Sequence, residues 1–104
     1  MGYLDDARFA EQWARSRARV RGFGRRRIEQ ELRSKGIDRG TARDALERFF
    51  EDSSESEIAR KEAEKKLKSL SRFEPEVRRR RLAGFLERKG FSSEIIRSIL
   101  HSVQ

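Results

Sequence analysis

The sequence predicts an all-α fold of six helices, arranged as two tandem three-helix repeats (helix-turn-helix-like units). Three observations predict it. The stretch Arg27–Leu46, RIEQELRSKGIDRGTARDAL, returns 54 positions later as Arg81–Leu100, RLAGFLERKGFSSEIIRSIL. Ile28 is answered by Leu82, Leu32 by Leu86, Lys35-Gly36-Ile37 by Lys89-Gly90-Phe91, and Ala42, Ala45 and Leu46 by Ile96, Ile99 and Leu100. A fixed shift that matches apolar positions and a glycine together marks an internal repeat. Apolar residues also recur at helical spacing and nowhere alternate as they would along a strand. Finally, a single proline and seven glycines leave room for long helices.

The first helix opens after Met1-Gly2-Tyr3, which reads as a chain start, with Asp5 or Asp6 as its N-cap and acids suited to the dipole. Phe9, Ala10, Trp13, Ala14 and Val20 form its apolar side. Trp13 is in register with Phe9 and reads as a core anchor rather than a stacking platform. Gly22-Phe23-Gly24 breaks the helix. The second helix spans Arg25–Lys35, with Ile28 and Leu32 on one face. Gly36 can take the left-handed conformation that ends a helix, which sets Ile37 against Leu32. Asp38 then caps the third helix, predicted over Asp38–Phe50, with Ala42, Ala45, Leu46 and Phe49 as its stripe.

A polar break, Glu51–Ser56, is the expected seam, dividing the chain into three-helix repeats at 1–52 and 53–104. Ser53 or Ser54 caps the fourth helix, which carries Ile58, Ala59, Ala63, Leu67 and Leu70. Pro75 suits the first position of the fifth helix, which runs to Lys89 with Leu82, Phe85 and Leu86 inward. Gly90, Phe91 and Ser92 repeat the glycine turn and the cap, and the sixth helix spans Ser93 to Ser102 with Ile96, Ile99, Leu100 and Val103. Neither half has a large core, so the two are expected to pack on each other as solenoid repeats do.

Composition narrows the function. With no cysteine there is no disulfide framework and no thiolate metal site, which points to a reduced, cytoplasmic interior. No apolar run approaches spanning length, and there is no signal-peptide pattern. The single histidine, His101, stands near the C-terminus and reads as a solvated residue. Carboxylates mostly stand beside Arg or Lys at helical spacing: Glu29 with Arg33, Glu57 with Lys61, Glu64 with Lys68. Gly22-Phe23-Gly24 lacks the strand and third glycine of a dinucleotide loop. The chain therefore reads as a non-enzyme without cofactor or metal.

Its sharpest signal is basic. Net charge is +8. Arg15, Arg17, Arg19, Arg21, Arg25, Arg26 and Arg27 fall within 13 residues that contain no acid, and Arg78-Arg79-Arg80-Arg81 opens the second copy at the equivalent place. Guanidinium groups fork carboxylates and phosphates in a planar, bidentate way. The candidate contact face comprises Arg15, Arg19, Arg21, Arg25, Arg26, Arg78, Arg79 and Arg80. Arg17 is set apart: four residues from Trp13, it lies near the inward side and is expected to pair with Glu31.

Taken together, Tyr3–Ala10 (YLDDARFA), Ser16-Arg17, Arg21-Gly22-Phe23-Gly24, Arg27-Ile28, Glu31-Leu32 and Lys35-Gly36-Ile37 resemble the RecX family of recombination regulators, and Leu86, Arg88, Gly90 and Phe91 carry the likeness into the second half. The resemblance implies an all-helical, non-enzymatic protein that binds the RecA recombinase filament and inhibits recombination and ATP hydrolysis, in DNA repair and the SOS response. Single-stranded DNA phosphates are a further partner it implies; the lack of a long apolar run points to no membrane, and the chain is expected to be a monomer. The family usually has three repeats, and this chain resembles the second and third. Many members carry proline where this chain has Arg25, which adds charge and removes a rigid helix start. The competing reading is a tandem helix-turn-helix DNA-binding protein with the third helix as reader. That helix mixes Arg39 and Arg43 with Asp44 and Glu47, whereas the arginines concentrate elsewhere.

Overall fold

The structure, a computed structural model, describes residues 3–103. Met1 and Gly2, the expected chain start, lie outside the described residues. Six helices follow in order: α1 Tyr3–Arg19, α2 Arg25–Ser34, α3 Arg39–Asp52, α4 Glu55–Ser69, α5 Pro75–Lys89 and α6 Ser93–Ser102. The fold is all-α, two tandem three-helix repeats.

The repeat is visible in matched local geometry. Gly36 has φ +91° and Gly90 φ +101°, the left-handed region that glycine enters without a Cβ penalty. At each, the Schellman pair of hydrogen bonds closes the preceding helix. The Ile37 and Gly36 amides donate to the Leu32 and Arg33 carbonyls at 3.0 Å each. The Phe91 and Gly90 amides donate to Leu86 and Glu87 at 3.2 and 3.0 Å. Ile37 and Leu32 are both buried in one core cluster, Phe91 and Leu86 in another. Asp38 and Ser92 cap the third helices by accepting the Thr41 and Ile95 amides, and Ser54 caps α4 by accepting that of Glu57. Pro75 opens α5.

Asp38 yields a pH prediction. The Thr41 amide, 2.7 Å from its carboxylate, holds the Asp38 pKa below the ordinary value of 3.8. A group depressed by folding contributes stability that is present above its unfolded pKa and lost as pH falls through the folded one. Asn caps as well as Asp without titrating. Thermal melts from about pH 5 to pH 2 should therefore show a shallower acid-side loss for Asp38→Asn than for the parent chain. Parallel curves would remove Asp38 from the acid response.

Several expectations need correction. Helix α1 starts at Tyr3, so Asp5 and Asp6 sit in its first turn rather than at its cap, still favourably placed for the dipole. Val20 is 76% exposed: α1 ends at Arg19, and Ala18 takes the inward place. Helix α2 ends at Ser34, and α3 begins at Arg39 and runs on to Asp52, so the seam shrinks to Ser53-Ser54. Glu29 reaches across to Arg43 at 3.9 Å rather than to Arg33. Glu57 pairs one residue nearer than expected, with Arg60 at 3.0 Å.

The halves also do not share a core as stacked repeats do. Extensive helix packing is confined to α1–α3 on one side and α4–α6 on the other. One cluster gathers Ala10, Ala14, Ala18, Phe23, Ile28, Leu32, Ile37, Leu46 and Phe49. The other gathers Ala59, Ala63, Leu70, Leu82, Leu86, Phe91, Ile96 and Ile99. Among the described residues, Ile58 alone packs against both. The molecule is elongated, 52 × 24 × 21 Å.

Candidate functional site

The polar joint between the halves determines where the arginines end up. The turn after α1 docks on the C-terminal end of α5, whose last carbonyls have no partner within the helix. The Gly24 amide donates to the Lys89 carbonyl at 2.7 Å and the Arg26 amide to the Gly90 carbonyl at 3.1 Å. The Arg27 guanidinium donates to the Arg88 carbonyl at 3.1 Å. In return, the Lys89 ammonium donates to the Arg21 carbonyl at 2.7 Å and lies 3.1 Å from the buried carboxylate of Glu62. At the base of α4, Glu55 accepts the Arg25 amide at 2.9 Å and faces its guanidinium at 3.7 Å.

The candidate arginines therefore divide by environment. Arg25 belongs to the joint, between Glu55 and the Phe50 ring. Arg78 donates to the Phe73 carbonyl at 3.0 Å and Arg79 to the Leu100 carbonyl at 2.7 Å, so both guanidinium groups serve backbone acceptors of their own half. Arg21 lies over the Phe23 ring and Arg19 over Phe49. Arg15 and Arg19 share a small hollow between α1 and α3, where Glu11 and Asp52 also stand. Among the described residues, no acid lies within ion-pair distance of Arg15, Arg19, Arg21, Arg26 or Arg80.

The structure joins two of these across the joint. Arg26 and Arg33 line a groove between α2 and the end of α5, Arg88 forms its far wall, and Glu29 and Glu87 also stand in its lining. Arg88 also lines the next hollow, with Arg80, Arg81 and Lys66, in which no acid stands. Arg26 and Arg80, 54 residues apart in sequence, thus belong to one basic track that crosses from one half to the other. Arg33, Arg81, Arg88 and Lys66 complete it. The candidate face left these four out, although Arg81 belongs to the run Arg78–Arg81; the signal available for Arg33 and Arg88 was that each stands in the last turn of its helix, two residues and one residue ahead of the repeated Lys-Gly. Arg15 and Arg19 lie in a different hollow and are not part of the track.

Arg17 and Glu31 meet as expected, at 3.2 Å. The Arg17 Nε is buried and makes no directed hydrogen bond, while Glu31 Oε1 accepts from Trp13 Nε1 at 2.9 Å. The contact is therefore ionic, and the guanidinium also lies 4.2 Å from the centre of the Trp13 ring. Trp13 is a partly buried anchor clamped by this network.

Family models decide the kinship. "RecX, second three-helix domain" matches residues 5–46, and "RecX, third three-helix domain" matches residues 53–100. The chain belongs to the RecX family. It is 36% identical over 99 residues to "Regulatory protein RecX" of Amycolatopsis mediterranei, covering 95% of this chain and 56% of that protein. It is 40% identical over 93 residues to "Regulatory protein RecX" of Thermobifida fusca, covering 89% and 50%. The crystal structure of RecX from Lactobacillus salivarius superposes with a TM-score of 0.82 at 28% identity, over 94% of this chain and 63% of that one. The chain spans about half the length of the curated RecX relatives it matches. Those relatives are named as regulatory proteins. Among the described residues, no helix is long and apolar enough to cross a membrane, and no group of three or more His, Cys, Asp or Glu is placed to hold a metal.

Proposed function

We propose that this chain is a non-enzymatic, cytoplasmic regulator that binds the RecA recombinase filament as a monomer and inhibits its recombination and ATPase activities. Its domains are the three-helix units 1–52 and 53–104, and arginine-rich faces make the contact. The observation that carries the reading is the track through Arg26, Arg33, Arg88 and Arg80. It is a strip of guanidinium groups without ion-pair partners, running across the joint of an elongated body. A filament presents an extended surface, and acidic side chains or single-stranded DNA phosphates along it are the groups that such forks bind. Within the proposed face, Arg26 and Arg80 contact the filament directly. Arg15, Arg19 and Arg21 add positive field, and Arg25, Arg78 and Arg79 hold the scaffold.

The helix-turn-helix alternative is weakened by α3. Arg43 is paired with Glu29, and Arg48 with Glu11 at 2.8 Å, so two of the three arginines on α3 are drawn to acids of neighbouring helices, leaving Arg39 to face a groove.

The test is RecA-driven, DNA-dependent ATP hydrolysis. Arg26→Glu with Arg88→Glu should raise the half-inhibitory concentration about tenfold, a loss of ~1.4 kcal/mol in binding. The melt should be unchanged, since neither side chain holds the joint. Lys61→Glu with Lys68→Glu alters charge equally off the track and should leave inhibition near the parent value. Equal effects of the two pairs would show that net charge, not the track, does the work. Weakening with rising salt at a slope shared with bare DNA binding would assign the contact to phosphates.

A further inference from the structure

Four cations line the hollow between α4 and α5 with no acid among them. The hollow has a volume of about 260 Å³. Arg80, Gly84 and Arg88 are spaced four apart and so share one face of α5, with Arg81 beside them. Lys66 comes from α4, and the buried Leu70 completes the lining. Aromatic rings hold two of the four. Lys66 Nζ lies 5.1 Å from the centre of the Phe85 ring, and the Arg81 guanidinium 4.3 Å from that of Phe73. Among the described residues, no acid lies within ion-pair distance of Lys66, Arg80, Arg81 or Arg88.

Gly84 stands between Arg80 and Arg88, inside a 15-residue helix. Glycine there weakens the helix relative to alanine. No left-handed backbone requires it, since the positive-φ glycines are Gly22, Gly36 and Gly90. What the missing side chain leaves is room: a Cβ at position 84 would stand 3.3 Å from Arg88 Nη1, tight against that guanidinium. The repeat does not demand the arrangement either. Fifty-four positions earlier, Gln30 and Ser34 stand where the second half has Gly84 and Arg88.

We propose that this hollow is a binding site for a compact polyphosphate anion, either inorganic pyrophosphate or the phosphate tail of a nucleotide. Three guanidinium forks and one ammonium point charge, set around a helix face cleared by glycine, suit several phosphate oxygens in a small volume. A single carboxylate would leave most of that charge unanswered. Gly84 also lines a largely apolar groove on its other side, with Ala83, Ile96 and Leu100. The base of a nucleotide would find apolar contact there, whereas the inorganic anion would leave the groove empty. The site stands whichever partner the basic track takes, and an anion seated in it would compete with that partner for Arg80 and Arg88.

The test is an NMR titration of this chain with pyrophosphate, with ionic strength held constant by chloride. Saturable shifts should centre on the Gly84 amide and the Arg80, Arg81 and Arg88 side chains. Gly84→Leu fills the hollow, keeps the net charge at +8 and favours the helix, so it should weaken the affinity about tenfold, or ~1.4 kcal/mol, without lowering the melt. Arg88→Gln, which removes one fork, should weaken it comparably, and it alone decides should Gly84→Leu melt lower. Lys68→Gln removes a charge elsewhere on α4 and should leave the affinity unchanged. ADP that binds more tightly than pyrophosphate, with added shifts at Ile96 and Leu100, identifies a nucleotide as the ligand. ADP that binds no more tightly identifies the inorganic anion. A response that never saturates, or one that Lys68→Gln weakens as much as Arg88→Gln, overturns the site. So does binding of an oligothymidylate at these residues with no response to pyrophosphate or ADP, a result that would leave the filament reading intact.

Discussion

Gly24→Ala should uncouple the two halves while leaving every helix in place. The backbone at Gly24, with φ −88° and ψ 173°, is ordinary extended geometry that alanine adopts freely, so the substitution is not strained in itself. What it meets is the other half. Its Cβ would lie 2.6 Å from the Gly90 carbonyl oxygen and 2.7 Å from the Phe91 ring, and the carbonyl is backbone that cannot swing aside. Separation breaks the Gly24 and Arg26 amide bonds to Lys89 and Gly90 and draws Lys89 away from the Arg21 carbonyl. The freed groups turn to water, so each of the three lost hydrogen bonds costs its net ~0.5–1.5 kcal/mol and the loss should be about 3 kcal/mol.

Because each half has its own core, the loss should appear as a break in cooperativity rather than as global unfolding. The single tryptophan, Trp13, reports the first half, whereas circular dichroism reports both. Their melting curves should coincide in the parent chain and separate in Gly24→Ala. Gly36→Ala is the control. It places alanine at φ +91° with no neighbour to strike, so it should cost ~1–2 kcal/mol of left-handed strain without separating the curves. Coincident, unshifted melts in Gly24→Ala would mean that the joint does not couple the halves.

This joint was the part of the fold that sequence reasoning did not reach, and the reason is physical. Periodicity reports which face of a helix is buried. It read the six helices, the inward Ile28, Leu32, Leu82 and Leu86, and the glycine endings with their caps, because those depend on neighbours three to six residues away. The Gly24–Lys89 contact is between backbone groups 65 residues apart, and backbone groups carry no residue code. What remained in the sequence was indirect: a glycine on either side of Phe23, there because another chain segment approaches. The helix boundaries failed for a related reason. The run Glu51–Ser56 reads as a polar break that ends the third helix at Phe50, yet α3 continues through Glu51 and Asp52 to its cap Ser53, whose amide donates to the Phe49 carbonyl at 3.2 Å. At the candidate interface, the richness in arginine was legible but its division was not. Whether a guanidinium faces solvent, as Arg26 does, or a carbonyl of its own half, as Arg79 does, depends on tertiary placement alone.

Glu31→Ala should be nearly as costly, within the first half alone. Its carboxylate receives Trp13 Nε1 at 2.9 Å, faces Arg17 Nε at 3.2 Å and has Arg27 Nε at 3.8 Å, so it ties α1 to α2. The side chains of Glu31 and Arg17 keep only 21% and 25% of their exposure, and Arg17 Nε is itself buried. Removing one member of a buried pair costs ~3–5 kcal/mol; the residual exposure lowers this to about 2–4 kcal/mol. Much of the loss is the guanidinium left behind, which cannot shed its proton as a lysine could. A melting temperature roughly 10–20 °C lower should follow, together with a change in Trp13 emission as its indole N–H loses its acceptor. Glu31→Gln separates charge from hydrogen bonding: the amide oxygen can still accept from Trp13, so it should recover part of the loss. In a double-mutant cycle with Arg17→Met, the coupling should be ~1–2 kcal/mol, because the methionine removes the stranded charge that makes Glu31→Ala costly. Additive losses in that cycle would show that Glu31 acts through Trp13 alone, and that Arg17 is held in place by the ring beneath it.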